Sequence, residues 1–153
     1  MTYRFIDTHC HFDFPPFTDD EPASIQRAAD AGVTAIVVPA IDVASIDRVL
    51  RLGARYPTLY MALGLHPIVI ESHQDAHLDQ LEAALAARPE RLVAVGEIGL
   101  DLYREDPHFD RQEAILDAQL KLAKRYDLPV ILHSRRTHDK LAMHLKRIDV
   151  PRR

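Results

Sequence analysis

The sequence has 153 residues, of which 47% are hydrophobic and 27% are charged, and its formal net charge is −4. These proportions are typical of a folded globular domain and exclude a disordered chain. The negative net charge argues against non-specific binding to nucleic acid through counterion release. No apolar run approaches the roughly 20 residues needed to cross a bilayer, and a single cysteine cannot form an internal disulfide. We therefore expect a cytoplasmic protein with no membrane segment.

Short apolar runs alternate with longer amphipathic stretches along the whole chain. The runs predict strands at residues 4–8, 33–39, 59–63, 92–95 and 130–132, each apolar enough to be buried on both faces. The stretches predict helices at residues 23–31, 43–55, 78–87, 108–126 and 137–146. Pro22 suits the first turn of the first helix, Asp42 suits the cap of the second, and Pro129 separates the fourth from the next strand. Five β-α units predict a parallel α/β sheet, either open or part of a barrel.

Two histidines stand two residues apart in D-T-H-C-H-F-D at residues 7–13. In a β-strand such residues share a face, so His9 and His11 would reach one point while Cys10 faces the other way. This is how a strand can present a metal. Asp7 would share that face and orient the ligand pair, and we expect Cys10 to be a small packed residue rather than a nucleophile.

Unusual polar residues follow three further strands. They are His66 in G-L-H-P, Glu97 in V-G-E and His133 in I-L-H-S. In a parallel barrel the carboxyl ends of the strands meet on one rim, where barrel enzymes carry their active sites. Any one of these residues alone has an ordinary explanation, such as a turn or a surface ion pair, but their repeated placement predicts one pocket.

The predicted pocket combines imidazoles with a carboxylate. His9, His11, His133 and Glu97 form a ligand set that suits zinc, manganese, iron or, with more oxygen ligands, magnesium. Glu97 could bridge two ions, and a pair of ions can activate a water and hold both oxygens of a phosphoryl transfer. Metal-assisted hydrolysis is therefore the leading prediction, with Glu97 and His66 as the catalytic residues.

Other polar residues leave alternatives open. His66 either contacts substrate from behind the ligands or makes a turn in which its imidazole binds the backbone. Arg135 either contacts a substrate phosphate or lies on a solvated helix face, and the same holds for the basic residues that follow it up to Arg153. We expect His73, His77, His108 and His144 to be exposed, and His138 has no predicted role.

Five segments together resemble one known family. They are F-I-D-T-H-C-H-F-D, A-L-G-L-H-P, V-A-V-G-E-I-G-L-D, Q-L-K-L-A-K-R-Y-D-L-P-V-I-L-H-S-R and T-H-D-K-L. The sequence is similar over its whole length to the TatD family of metal-dependent hydrolases, within the amidohydrolase-like superfamily of (β/α)₈ barrels. The resemblance implies a deoxyribonuclease-like phosphodiesterase that acts on DNA with divalent metal ions, two of Zn²⁺, Mg²⁺ or Mn²⁺. It also implies that His9, His11, Glu97 and His133 match the family's metal ligands.

The sequence departs from the family pattern in one respect. The family ligand set includes a further histidine after the sixth strand and an aspartate after a later strand, and neither has a counterpart here. A barrel of this class needs about 250 residues, so we expect residues 1–153 to form a single hydrolase domain that is an incomplete TIM-type barrel without its C-terminal units. It would be a monomer if completed, and its exposed edge strands could associate with other chains as a fragment.

Two alternatives to the nuclease prediction remain open. The same metal-activated water attacks carbonyl carbons, so the substrate could be a small amide, ester or lactone. The chain could also be a non-catalytic partial barrel.

Overall fold

The structure, a computed structural model, describes residues 3–149. Its strands are β1 (Phe5–Asp7), β2 (Val33–Pro39), β3 (Leu59–Leu63), β4 (Leu92–Asp101) and β5 (Val130–Arg135). Its α-helices are α1 (Glu21–Asp30), α2 (Val43–Arg55), α3 (Asp75–Ala86), α4 (Phe109–Tyr126) and α5 (His138–Ile148). Two 3₁₀ segments, Phe17–Asp19 and Pro67–Ser72, lie in the connections. The strands and helices alternate as the sequence predicts.

The five strands form one parallel sheet in the order β1-β2-β3-β4-β5. Every strand therefore pairs with its neighbour in sequence, and α1 to α4 are the crossovers that return the chain to the same end of the sheet, while α5 follows the last strand. All carboxyl ends of the strands lie at one edge, which forms the rim of a half-barrel. β1 and β5 are the outer strands of the described sheet.

Local sequence explains where the first two helices begin. The Asp20 side chain accepts a hydrogen bond from the Ala23 backbone N–H at 3.1 Å, and Pro22 stands in the first turn as predicted. Asp42 caps α2, also as predicted, by accepting the Ser45 N–H at 2.7 Å. The Ser45 hydroxyl in turn accepts the Asp42 N–H at 2.8 Å, which completes a reciprocal cap.

The core lies between the sheet and the helices that cover it. Its largest fully buried side chains include Leu59, Leu63, Leu100 and Leu120. The expectation that every strand is buried on both faces is wrong for β1, where Phe5 is 53% and Ile6 is 64% exposed. An outer strand has a neighbour on one side only, so its side chains have fewer packing partners. Among the described residues, no helix is long and apolar enough to cross a membrane.

The last two strands extend beyond their predicted ends. β4 runs to Asp101 and β5 to Arg135, so Glu97 and His133 lie within strands rather than after them. The apolar pattern did not predict these strand ends, because the last residues of both strands include polar residues or glycine. The two strands approach closely at Gly99, where a Cβ atom would lie 1.9 Å from the His133 carbonyl oxygen. Only glycine allows this approach.

Candidate metal centre

Glu97 is the centre of the predicted pocket, and its side chain is only 7% exposed. Its Oε2 atom lies 3.1 Å from His9 Nε2 and 3.4 Å from His11 Nε2. Its Oε1 atom lies 3.3 Å from both His66 Nε2 and His133 Nδ1. The structure thus brings together all five residues that the sequence places at the rim, and it divides the four imidazoles into two pairs, one on each oxygen.

His9 and His11 belong to the loop after β1, so the premise that a strand presents them is wrong. The loop nevertheless points both rings at the same carboxylate oxygen, and the ring centroids are 5.2 Å apart. Two hydrogen bonds hold its backbone: Cys10 N–H donates to the Val37 carbonyl at 3.0 Å, and His9 N–H donates to Asp7 Oδ1 at 3.1 Å. Asp7 therefore positions the backbone of the pair rather than either ring.

His133 has a partner that sequence reasoning missed. Its Nε2 atom lies 2.6 Å from Oδ2 of the buried Asp101, at the end of β4. Asp101 is closer to the ring than Glu97, whose Oε1 atom lies 3.3 Å from Nδ1, so the proton of the neutral ring stays on Nε2 and Nδ1 is free to ligate, whereas the protonated ring donates to both carboxylates. The signal was Asp101 itself in G-E-I-G-L-D, four residues beyond Glu97 on a strand that we expected to end earlier.

His66 has the opposite tautomer. Its Nδ1 atom accepts the Ile68 backbone N–H at 2.9 Å, so the proton of the neutral ring is on Nε2, which faces Glu97. Both alternatives left open by the sequence therefore occur together, because the ring binds the backbone through one nitrogen and faces the pocket through the other. A protonated nitrogen donates hydrogen bonds and does not ligate metal.

The surrounding imidazoles keep Glu97 ionised. Burial favours its neutral form, but the hydrogen bonds from three imidazoles outweigh burial and hold the pKa of Glu97 well below its usual range. The hydrogen bond to Glu97 also raises the pKa of His11 and of His133 above the ordinary histidine value. At neutral pH both Glu97 oxygens are therefore anionic acceptors.

These donors fit divalent metal. His9, His11 and Glu97 form one group whose ligand atoms all lie within 4.8 Å of one another, and His66, Glu97 and His133 form a second. Glu97 belongs to both groups and faces each with a different oxygen, so it would be a ligand of a metal ion held by either one. The His9 and His11 side chains are 38% and 39% exposed, so the centre is reachable from solvent.

Arg135 lies beside this centre at the end of β5. Its guanidinium carbon is 3.8 Å from the centroid of the Tyr103 ring, which is 59% exposed. The Tyr103 backbone N–H donates to Asp101 Oδ1 at 2.6 Å. This bond holds the Arg135–Tyr103 pair next to Asp101, the residue that faces His133. Of the basic residues after Arg135, Arg136 lies in the connection before α5, Lys140, Lys146 and Arg147 lie on α5, and Arg152 and Arg153 are outside the described residues.

The remaining histidines do not join the centre. The expectation that they are exposed is wrong for His73 and His144, which are 3% and 6% exposed. His73 Nε2 donates to the His66 carbonyl at 2.9 Å, although its buried Nδ1 has no hydrogen-bond partner, and His144 lies between two carboxylates of α4. Polar partners therefore offset the burial of His144 fully and that of His73 in part. His108 and the unassigned His138 are exposed, and His77 is half-buried.

Cys10 is half-buried and packs against the core, as expected. Burial is the main cause that raises the pKa of its thiol above the ordinary value, with the Asp7 charge contributing. The residue is therefore a poor thiolate nucleophile.

The fold and the site define a class of protein: an α/β half-barrel of the TIM-barrel type whose rim gathers candidate metal ligands from four strand ends. The chain belongs to the family of TatD related DNases, whose family model matches residues 6–153. The predicted family and fold class are therefore confirmed.

Individual relatives cover the chain almost completely. An uncharacterized metal-dependent hydrolase of Escherichia coli K12, YjjV, is 67% identical over 152 residues, which are 99% of this chain and 59% of the relative. The crystal structure of the E. coli protein YJJV, a TatD homologue, superposes with a TM-score of 0.95 at 67% identity over 98% of this chain and 58% of that one. The 3'-5' ssDNA/RNA exonuclease TatD of Pantoea sp. At-9b is 35% identical over 133 residues, 85% of this chain and 50% of the relative. The chain thus spans less than two thirds of the length of these proteins.

Proposed function

We propose that the protein is a metal-dependent phosphodiesterase that hydrolyses DNA through a metal-activated water. The observation that carries this proposal is the position of Glu97, a buried and ionised carboxylate whose two oxygens serve two separate groups of imidazoles. A shared carboxylate is what a pair of divalent ions, Zn²⁺, Mg²⁺ or Mn²⁺, requires. The single hydrolase domain predicted for residues 1–153 is part of the same proposal.

Each ligand has a defined task in this proposal. His9 and His11 offer Nε2 atoms on one side of Glu97, and His133 offers Nδ1 on the other because Asp101 keeps the proton on its Nε2. When bound, the ions supply a water of lowered pKa and polarise a phosphoryl oxygen. Glu97 would be the ligand common to both sides of the centre.

His66 and Arg135 would bind the substrate. The Nε2–H of His66 is a neutral donor at the buried side of the pocket, suited to a phosphoryl oxygen that gains negative charge. Arg135 offers a cation for the neighbouring phosphate, and the exposed Tyr103 ring beneath it offers a face on which a base can stack. Printed names of relatives, such as the ssDNA/RNA exonuclease of Pantoea, support a nucleic-acid substrate.

Two further predictions belong to this proposal. The protein works in the cytoplasm, where a single half-buried cysteine stays reduced. Its partner is the DNA or phosphodiester substrate, and the completed domain is a monomer, whereas free β1 and β5 edges permit association.

The experiment is a hydrolysis panel with metal-depleted protein to which Mn²⁺, Mg²⁺ or Zn²⁺ is returned. The substrates are single-stranded and duplex DNA, a small chromogenic phosphodiester, and a set of amides, esters and lactones. Metal-dependent cleavage of DNA supports the proposal. Cleavage confined to the amides, esters or lactones would replace the substrate class, and absence of any metal-dependent cleavage would indicate a non-catalytic chain.

Arg135→Ala tests the substrate contact separately. It should raise KM for DNA about tenfold or more, because a charge-assisted contact to phosphate is lost, and change hydrolysis of the small phosphodiester little. Arg51→Ala is the matched control, since Arg51 is an exposed arginine on α2. Equal KM values for the two variants would remove Arg135 from the substrate site.

A further inference from the structure

Two glutamines of α4 bind the backbone at the rim instead of facing solvent. Gln112 and Gln119 are 3% and 1% exposed, and their spacing of seven residues places them on the same face of the helix. Each amide binds both the N–H and the C=O of a single residue on the sheet side: Asp101 for Gln112 and Leu65 for Gln119. Such pairs of bonds fix a backbone unit in both position and orientation.

Gln112 uses nearly all of its hydrogen-bonding capacity in this way. Its Oε1 atom accepts the Asp101 N–H at 2.7 Å, and its Nε2 group donates to the Asp101 carbonyl at 2.8 Å and to the Pro107 carbonyl at 2.7 Å. An uncharged amide is the side chain that supplies one acceptor and two donors together. A purely apolar residue of the same size would leave three backbone groups buried and unpaired.

Asp101 transmits this constraint to the candidate metal centre. Its Oδ1 atom accepts the Tyr103 N–H at 2.6 Å and its Oδ2 atom lies 2.6 Å from His133 Nε2, so both oxygens are committed. Gln112 holds the Asp101 backbone, and the Asp101 carboxylate is bonded at both oxygens, so this side chain has little freedom to move. The Asp101 carboxylate therefore sets the orientation of the His133 ring.

We propose that Gln112 is a positioning residue that, by holding Asp101, orients the His133 ring for metal binding. This inference rests on the proposed metal-dependent function and adds to it a residue on a covering helix that touches neither metal nor substrate. Loss of the carboxylate partner of a ligating histidine costs about 10–100-fold in metal affinity in other metal sites, and loss of Gln112 should act through that partner, Asp101.

Gln119 is the matched comparison on the same helix. Leu65, which it binds at 2.7 and 3.1 Å, precedes His66, whose pocket-facing nitrogen carries a proton and does not ligate. Loss of the Gln112 or the Gln119 side-chain amide should lower the stability of the fold, because either loss leaves backbone groups unpaired in the interior. Only loss of the Gln112 amide should change the ligand geometry.

The test measures Co²⁺ binding to the wild-type protein and to Gln112→Met, Gln119→Met and Asp101→Asn, using the visible absorption of the bound ion. Gln112→Met should weaken binding about 10–100-fold and alter the Co²⁺ spectrum, while Gln119→Met changes affinity less than about threefold. The double variant Q112M/D101N should bind no more weakly than the weaker single variant, because both changes act on one chain of contacts. Urea unfolding under the same conditions shows that each variant is folded.

Equal affinities of Gln112→Met and Gln119→Met, or additive effects in the double variant, would overturn the positioning role while leaving the metal site intact. Failure of the wild-type protein to bind Co²⁺ would overturn the proposed function as well. If Gln112→Met does not fold, Gln112→Glu takes its place, since it keeps the acceptor for the Asp101 N–H and removes both donors. The Co²⁺ affinity of Gln112→Glu is then compared with that of Gln119→Met and of the double variant with Asp101→Asn, and the same results support or overturn the positioning role.

Discussion

Glu97→Gln should dismantle the metal centre while leaving the fold intact. Glutamine has nearly the same shape as glutamate but lacks the negative charge, and its amide presents one acceptor oxygen where the carboxylate presents two. Each Glu97 oxygen lies within 3.4 Å of two imidazoles, and both candidate ligand groups include this residue. The substitution therefore removes one of three ligands from the group of His9, His11 and Glu97, and one of two from the other group, in which the protonated Nε2 of His66 does not ligate.

The magnitude follows from that geometry. Loss of a residue that merely orients a ligand costs about 10–100-fold in metal affinity, so loss of a ligand shared by two ions should cost at least 100-fold. That factor is about 2.8 kcal/mol, since each tenfold is about 1.4 kcal/mol. Stoichiometry should fall from two ions toward one or none, and metal-dependent hydrolysis of phosphodiesters should fall by a still larger factor.

Isothermal titration with Mn²⁺ and Zn²⁺ measures both affinity and stoichiometry. Glu82→Gln is the matched control, because Glu82 is a surface carboxylate on α3 that pairs with Arg125. If Glu97→Gln bound metal with the affinity and stoichiometry of the wild-type protein, Glu97 would not be a ligand and the bridging arrangement would be refuted. A fall of the same size in Glu82→Gln would show that the loss is not specific to the site.

Two further predictions concern stability. Gly99→Ala should destabilise the fold by at least about 3 kcal/mol, because the new methyl would overlap the His133 carbonyl oxygen and the φ of residue 99 is +156°. Urea unfolding measures this loss of stability. Asp117→Asn should lower stability at pH 7 by about 1–3 kcal/mol, and its effect should shrink as the pH falls below about 3.9. Burial opposes ionisation of Asp117, yet hydrogen bonds from His144 and Arg147 outweigh it and hold the pKa of Asp117 below its ordinary value. A depressed folded-state pKa gives stability that is present above the unfolded-state value of about 3.9 and is lost as the pH falls through the folded value.

Both stability predictions have direct controls. Gly53→Ala brings the new methyl against only the flexible Met61 side chain, so it should cost less than Gly99→Ala; the reverse order would contradict the packing argument. For Asp117→Asn, unfolding curves at several pH values should converge with those of the wild-type protein on acidification. A stability difference that stays constant from pH 7 to pH 2 would show that the Asp117 charge contributes nothing.

Much of the fold was predictable because local patterns decide it. Buried parallel strands read as apolar runs and covering helices as amphipathic stretches, so all five β-α units were placed in order. The Asp42 cap was predictable from the sequence for the same reason, since it depends on a few neighbouring residues. The ends of β4 and β5 were not, because their last residues are kept in the sheet by pairing with each other rather than by their own apolarity.

The burial of two histidines was also not predictable from the sequence. His73 and His144 lie in polar stretches that predict exposure, but both are buried: the His73 ring binds the His66 carbonyl seven residues earlier, and the partners of His144 come from a distant segment. His144 faces Glu113 and Asp117, which are about 30 residues earlier in the chain. A single sequence does not reveal such pairings, because the partners are brought together only when α5 packs against α4.

By itself, the sequence determined which residues could form the centre, since parallel strands deliver their carboxyl ends to one rim and His9, His11, His66, Glu97 and His133 stand near those ends. The tertiary structure alone decided what each of them does there. It placed one pair of imidazoles on each oxygen of Glu97, and the partners of His133 and His66 set opposite tautomers in the two rings. Those differences arise from Asp101 and from the Ile68 N–H, and hydrogen bonds of this kind exist only once the chain has folded.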